Sequence, residues 1–209
     1  MEKVKKKKRK IVSRRDFLKG LGGGAIGATV ASRLLSQNLN ALQSSEAKIP
    51  VYSKKFITLI VNGKTFPIEV EPRETLLQVL RERLELKGAK RVCDRGECGG
   101  CTVLLEGKPI YSCSYLAIRA DGKKITTIEG LAEGGKLHPV QQAFIDKDGY
   151  QCGFCTPSFI MTSVALLNKN KKPSLDEIKE ALSGNLCRCG NYAKIYEAVS
   201  AASEVIRKA

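Results

Sequence analysis

Eight cysteines, sorted into two groups of four, constrain this 209-residue chain more than any other feature. Cys93, Cys98, Cys101 and Cys113 read C-x4-C-x2-C, with the fourth cysteine after a longer gap. Cys152 and Cys155 read C-x2-C, and Cys187 and Cys189 read C-x-C further on. A single histidine, His138, excludes multi-histidine metal sites and makes a Ser-His-Asp or Cys-His engine improbable. A hydrophobic content of 43% with 6% aromatic residues suits aliphatic cores rather than a disordered chain. No run reaches the roughly 20 apolar residues that a membrane-spanning helix requires.

The periodicity of the chain changes between the two groups. Phe56 to Val61 is β-branched and apolar, Asn62-Gly63 follows, and Lys64 to Glu71 partly alternates. Asn-Gly between such runs predicts a hairpin, and Pro67 assigns the second strand to an edge or a bulge. Leu76, Leu77, Leu80 and Leu84 recur at helical spacing, with Gly88 placed to end the helix. Thr102 to Leu105 turns through Glu106-Gly107-Lys108 into a second hairpin, and Ile125 to Ile128 reads as a last strand. Beyond Gly134, four segments read as helices: Pro139 to Ile145, Pro157 to Asn168, Ser174 to Leu182 and Tyr192 to Lys208. Ser174-Leu175-Asp176-Glu177 matches a capping box, and Gly184 suits the stop. The expected organisation is an α+β sheet domain over 48–132 and a small four-helix bundle over 133–209, with the boundary in the glycine cluster near Glu129 to Lys136.

The first group has the spacing of plant-type 2Fe–2S ligation. Three thiolates from one tight loop must converge on one rhomb, and Gly96, Gly99 and Gly100 let the backbone bend close to the sulfides and leave amides free to hydrogen-bond sulfur. In the second group Cys152-Gly153-Phe154-Cys155 precedes a helix start, whose unpaired N–H groups favour negative charge. Cys187-Arg188-Cys189 lies between two helices, so two loops at helix ends can close over one cluster. Zinc is the first competitor, but C-x-C is unusual in a four-thiolate zinc site and the first group lacks paired C-x2-C motifs. Disulfides are the second, but a bundle rich in Leu, Ile and Ala needs no staple. Buried free thiols are the third.

Residues Met1 to Ala47 hold 11 of the 36 basic residues against Glu2, Asp16 and Glu46, a net +8 of the total +15. A basic run, Lys5 to Lys10, is followed by Ser13-Arg14-Arg15-Asp16-Phe17-Leu18-Lys19 and a weakly apolar, glycine-rich stretch from Gly20 to Ser32. That is the layout of a signal peptide, and the twin arginine resembles the export address of the twin-arginine translocase. A basic arm for nucleic acid or a membrane surface is the blander reading. The motif favours export, to the periplasm or another extracytoplasmic compartment, with residues 1–47 as signal and linker and Ser45-Glu46-Ala47 offering small residues for cleavage. Because this route carries folded, cofactor-loaded proteins, the cysteines meet their ligands in a reducing cytoplasm, and export does not by itself imply disulfides.

Cys93-Asp94-Arg95-Gly96-Glu97-Cys98-Gly99-Gly100-Cys101-Thr102-Val103, Gln151-Cys152-Gly153-Phe154-Cys155-Thr156-Pro157 and Gly184-Asn185-Leu186-Cys187-Arg188-Cys189 together resemble the iron-sulfur subunit of the xanthine oxidase, or molybdenum hydroxylase, family. The resemblance runs from about Phe56 to the C-terminus. It departs at Ser158, where glycine is usual, and at Gly190-Asn191-Tyr192, where Thr-Gly-Tyr is common. It implies a β-grasp, ferredoxin-like domain whose cluster faces the electron acceptor, and a helical domain whose cluster lies against molybdopterin on a separate large subunit. It also implies that Cys93, Cys98, Cys101 and Cys113 hold the first 2Fe–2S cluster and that Cys152, Cys155, Cys187 and Cys189 hold the second. Gln151 and Cys189 match the positions that approach the pterin, and a flavin subunit (FAD) or a haem cytochrome is the implied acceptor. None of these residues is catalytic.

Loading changes the charge reading. Each loaded site is near −2 (about +2 from the oxidised core and −4 from the thiolates), so two sites reduce the +7 of the part after Ala47 to about +3. The apparent basicity mostly disappears, and no nucleic-acid partner is expected. Lys90, Arg91, Arg95 and Arg188 flank the ligands and are expected to stabilise reduced clusters. The expected function is an electron-transfer subunit of an exported hydroxylase complex that oxidises an aldehyde or N-heterocycle. A free-standing exported two-cluster ferredoxin and a structural zinc protein are the alternatives.

Overall fold

The computed structural model describes residues 53–208 together with Ser13, Arg15 and Asp16. The expected signal segment, 1–47, therefore lies outside the described residues except at those three. There the Ser13 hydroxyl donates to Asp16 Oδ2 at 2.7 Å, and the Asp16 amide donates to the Ser13 carbonyl at 3.0 Å.

Alternation builds the first hairpin. In β1 (Lys55–Val61) Ile57, Leu59 and Val61 are buried, while Lys55, Phe56 and Thr58 face out. Asn62 and Gly63 both take positive φ, 50° and 77°, the turn type whose twist matches paired strands, and β2 (Lys64–Val70) returns in antiparallel register with Val61 opposite Lys64. The strand order is β2-β1-β5-β3-β4, so Pro67 does stand on an edge strand, where its missing N–H is tolerated. β3 (Thr102–Leu105) and β4 (Lys108–Tyr111) form the second expected hairpin, and β5 (Lys124–Thr126) pairs parallel to β1 and antiparallel to β3. The result is the expected α+β, β-grasp sheet. The last strand is shorter than the run Ile125 to Ile128 suggested, because the chain turns into a 3-10 helix over Ile128–Gly130.

The leucine-rich segment folds as a short helix, α1 (Leu76–Gln78), capped by Thr75 and Gln78, which continues as a π-helical turn over Val79–Arg83. It stops before Gly88. The wider turn lets the Leu84 amide reach back to the Val79 carbonyl, and Glu85 then leaves in the left-handed region at φ 56°. Gly88 instead donates its amide to the Glu129 carboxylate at 2.7 Å.

Four helices follow: α2 (Pro139–Asp146), α3 (Thr156–Lys169), α4 (Leu175–Leu182) and α5 (Tyr192–Lys208). The Ser174–Glu177 capping box starts α4 as the sequence indicates. His138 starts α2: its Nδ1 accepts from the Val140 amide at 3.2 Å, and Gln141 accepts from the His138 amide.

Residues 52–209 form one compact unit. Its apolar side chains gather into two cores that share β3, because a period of two sends successive residues to opposite faces. Val103 and Leu105 join Leu59, Leu77 and Leu80 on one side; Leu104 joins Phe144, Phe159, Leu182 and Val199 on the other. The sheet thus carries the helices on its second face; Cys101 and Cys113 belong to the first core, and Cys187 to the second.

Candidate metal centres

The β3–β4 hairpin delivers half of the first group. Its register sets Thr102 opposite Tyr111, which brings Cys101, just before β3, alongside Cys113, just after β4. The Cys113 amide points at Cys101 Sγ at 3.5 Å, which sets the two side chains next to each other. Both are buried, which pushes the Cys113 thiol up to about 12, although the Gly96 amide donates to its sulfur at 3.2 Å. The other pair comes from the loop between α1 and β3. The backbone amides of Arg95, Glu97 and Cys98 hold the Cys93 thiol down at about 6 against the cost of burial, with the Cys98 side chain beside it. That loop is built to stabilise a thiolate.

The second group is assembled from two loops that α3 and α4 separate. Cys155 caps α3, and Cys152 precedes it. Cys155 pairs with Cys187, and burial pushes its thiol up to about 12. Cys152 pairs with Cys189 at the surface, and the Phe154 amide lowers the Cys152 thiol. Tyr192, the first residue of α5, accepts from the Cys187 amide at 2.9 Å and packs edge-on against Phe159 of α3, with ring centroids 6.1 Å apart. The α3 terminus adds an unpaired helix dipole beside the thiols.

In each group the four thiols gather at one place: Cys113 has both Cys101 and Cys93 beside it, and Cys155 has both Cys187 and Cys152. Among the described residues, no three His, Cys, Asp or Glu side chains converge where a single metal ion would sit. A structural zinc site needs four ligands round one ion. A 2Fe–2S cluster has four cysteines for its two irons, two apiece, and four thiols gathered more widely than round one ion fit it. One further observation favours a sulfur-rich guest. Thr156 Oγ1, one residue from Cys155, is the only buried side-chain oxygen or nitrogen without a hydrogen-bond partner among the described residues.

All eight cysteines are free, and the structure brings each group of four together. Gln151 is exposed beside Cys152, and its amide points at Asn191 Oδ1 at 3.4 Å; Asn191 in turn donates to the Asp148 carbonyl at 2.9 Å. The departure at Asn191 thus supports Gln151. The departure at Ser158 is buried, and its hydroxyl donates to the Cys155 carbonyl at 2.8 Å. Arg91 is tied to Glu82 and Asp94, so its charge is partly spent away from the thiols. Tyr111 and Asn185 were not singled out by sequence reasoning. Their signal was weak: a tyrosine at a strand end and an asparagine two residues before a ligand-like cysteine.

Residues 59–127 match a 2Fe-2S iron-sulfur cluster binding domain, and residues 127–200 match a second 2Fe-2S binding domain. The chain is 41% identical to the aldehyde oxidoreductase iron-sulfur-binding subunit PaoA of Escherichia coli K12, over 94% of this chain and 90% of that one. It is 47% identical to the nicotinate dehydrogenase small FeS subunit of Eubacterium barkeri, over 73% of this chain and 97% of that one. Among solved structures, quinoline 2-oxidoreductase from Pseudomonas putida 86 aligns at 43% identity and a TM-score of 0.71, covering 74% of this chain and 97% of that one. Aldehyde oxidoreductase from Desulfovibrio desulfuricans aligns at 39% identity and the same TM-score, with 17% of that longer chain covered.

Proposed function

The chain belongs to the iron-sulfur subunits of the xanthine oxidase family of molybdenum hydroxylases, and from that membership we propose that it relays electrons within an exported hydroxylase complex. The observation that carries this reading is the gathering of four thiols at one place, repeated in both halves of one compact unit. Cys93, Cys98, Cys101 and Cys113 hold one 2Fe–2S cluster; Cys152, Cys155, Cys187 and Cys189 hold the other. When bound, such a cluster takes up and releases one electron at a time. This chain's own part is to supply thiolates, aim backbone amides at sulfur and keep water from Cys101, Cys113 and Cys187, which are buried.

The large molybdopterin subunit docks where Cys152 and Cys189 reach the surface. There Gln151 offers its amide, while Tyr150 and Phe154, 43% and 51% exposed, offer apolar area. Electrons leave past Cys93 to a flavin subunit or a cytochrome. The substrate is an aldehyde or an N-heterocycle. The N-terminal arm favours the aldehyde side: about a quarter of the chain precedes Ser53, so an alignment over 94% of it takes in most of that arm.

Export through the twin-arginine translocase rests on Ser13-Arg14-Arg15-Asp16-Phe17-Leu18-Lys19. Deleting residues 1–47 is expected to leave both this chain and its large subunit in the cytoplasm, as cell fractionation would reveal. A large subunit still exported without the arm refutes the idea that this signal carries the complex. Co-purification tests the relay: the tagged full chain is expected to bring down a large molybdopterin protein. Isolation as a stable, iron-loaded monomer favours a free ferredoxin.

A further inference from the structure

The loops that carry the two cysteine groups are fastened directly to each other. The Leu186 amide, next to Cys187, donates to the carbonyl of Cys98 at 2.9 Å. This single bond joins a residue of the first group to the neighbour of a residue of the second. Around it lies a buried polar cluster. Asn185, 3% exposed, directs its Nδ2 at the Gly99 carbonyl at 3.2 Å and at Thr102 Oγ1 at 3.4 Å. Its Oδ1 lies 2.9 Å from the Thr162 hydroxyl, whose one proton is shared with the Ser158 carbonyl at 3.0 Å. Tyr111, at the end of β4, donates to the Gly184 carbonyl at 2.8 Å. The backbones approach so closely that a methyl group at Gly99 would stand 2.5 Å from the Gly184 carbonyl oxygen, and one at Gly184 would meet the Tyr111 hydroxyl.

A buried carboxamide is costly unless every arm is used, and this one touches β3, α3 and both ligand loops at once. We infer that Asn185 is a positioning residue: it latches the 184–187 loop onto the 98–102 loop and so fixes Cys98 and Cys187 relative to each other. The inference rests on the reading of both groups as cluster ligands. Neither half can then shift without dragging the other's sulfurs, and exchange between the sites proceeds across one invariant gap. Tyr111 is the second point of the latch, since its hydroxyl ties the end of β4 to the Gly184 carbonyl.

The test is Asn185→Leu in the full chain, purified anaerobically. Leucine leaves few orphans: the Gly99 carbonyl keeps the Thr102 amide at 3.0 Å and the Thr102 hydroxyl at 2.6 Å, and Thr162 keeps Ser158. The variant is therefore expected to fold and to load. Two readouts follow. Amide hydrogen exchange at Leu186 should quicken roughly tenfold, the scale of losing one or two buried hydrogen bonds, while the cores of both halves stay protected. In the dithionite-reduced wild type, two clusters held at a fixed gap are expected to split each other's low-temperature EPR signals, and the variant should lose that splitting while both individual signals persist. Tyr111→Phe and Thr162→Val should move both readouts the same way by less, and they carry the test if Asn185→Leu does not fold. Wild-type exchange at Leu186 together with wild-type splitting overturns the latch. Uniformly faster exchange in both halves also overturns it, because that marks a merely structural role. A wild-type chain without iron sinks the parent reading instead, and the exchange arm still reports on the latch.

Discussion

Three of the first site's four cysteines fall within one short loop, 93–101, and the β3–β4 hairpin brings in the fourth; the second site takes two cysteines from each of two loops separated by all of α3 and α4. The first is thus built by local chain geometry and the second by the packing of a helical core. The sites also differ in depth. At the first, the buried pair (Cys101, Cys113) lies at the strand ends and the accessible pair in the loop. At the second, Cys187 is buried while Cys152 and Cys189 are exposed. A site built by packing should be the more fragile, and an open face suits the one that meets a partner.

The largest expected effect comes from removing a deep ligand. Cys187→Ser should lower iron from about four to about two per chain and abolish one EPR signal, while the first site persists because none of its ligands comes from the helices. Cys101→Ser should do the converse, and the two variants together separate the halves. If Cys187→Ser empties both sites, the halves are not independent and the contrast fails.

Next comes packing. Phe159 is fully buried and braces Tyr192, which holds the Cys187 amide. Phe159→Ala should cost about 3–5 kcal/mol in denaturant unfolding and release iron from the second site first. A smaller effect tests the orphaned hydroxyl. Thr156→Val should lower the midpoint potential of the second cluster and leave the first unchanged in an EPR-monitored titration, with Thr156→Ser restoring it. An unchanged second potential would show that Thr156 donates to something other than sulfur.

The smallest effect concerns pH. Burial lowers the His138 pKa below its ordinary value, so the unfolded chain binds a proton more readily than the folded one. The stability that neutral His138 contributes is complete above about pH 6.5 and declines as pH falls from there through the folded value. His138→Asn keeps a capping side chain and should flatten that dependence, whereas His138→Ala should cost about 1 kcal/mol at neutral pH. A slope unchanged by Asn assigns it to other groups.

The same contrast explains what could be read without coordinates. The hairpin turns at Asn62-Gly63 and Glu106-Gly107, the edge position of Pro67 and the start of α4 at Ser174 are encoded within a few residues, and the sequence indicates each of them. The π turn after Gln78 is not, because apolar spacing over Leu76 to Leu84 fits a longer regular helix; how Leu84 reaches back to Val79 depends on the surrounding core. His138 as an N-cap escaped for a similar reason, histidine being a rare substitute for Ser, Thr, Asp or Asn. Cysteine spacing indicates both groups, but not which members are buried, which depends on the β3–β4 register and on helix packing. Asn185 and Tyr111 act across more than seventy residues of sequence, and no local pattern announces such a contact.

The central claim is that both thiol groups hold two-iron clusters. Metal and acid-labile sulfide analysis of the anaerobically purified full chain, alongside EPR of the reduced protein, tests it most directly. The account predicts about four irons and about four sulfides per chain, with two distinguishable signals. Stoichiometric zinc, or a colourless chain with eight titratable thiols and no sulfide, would contradict it.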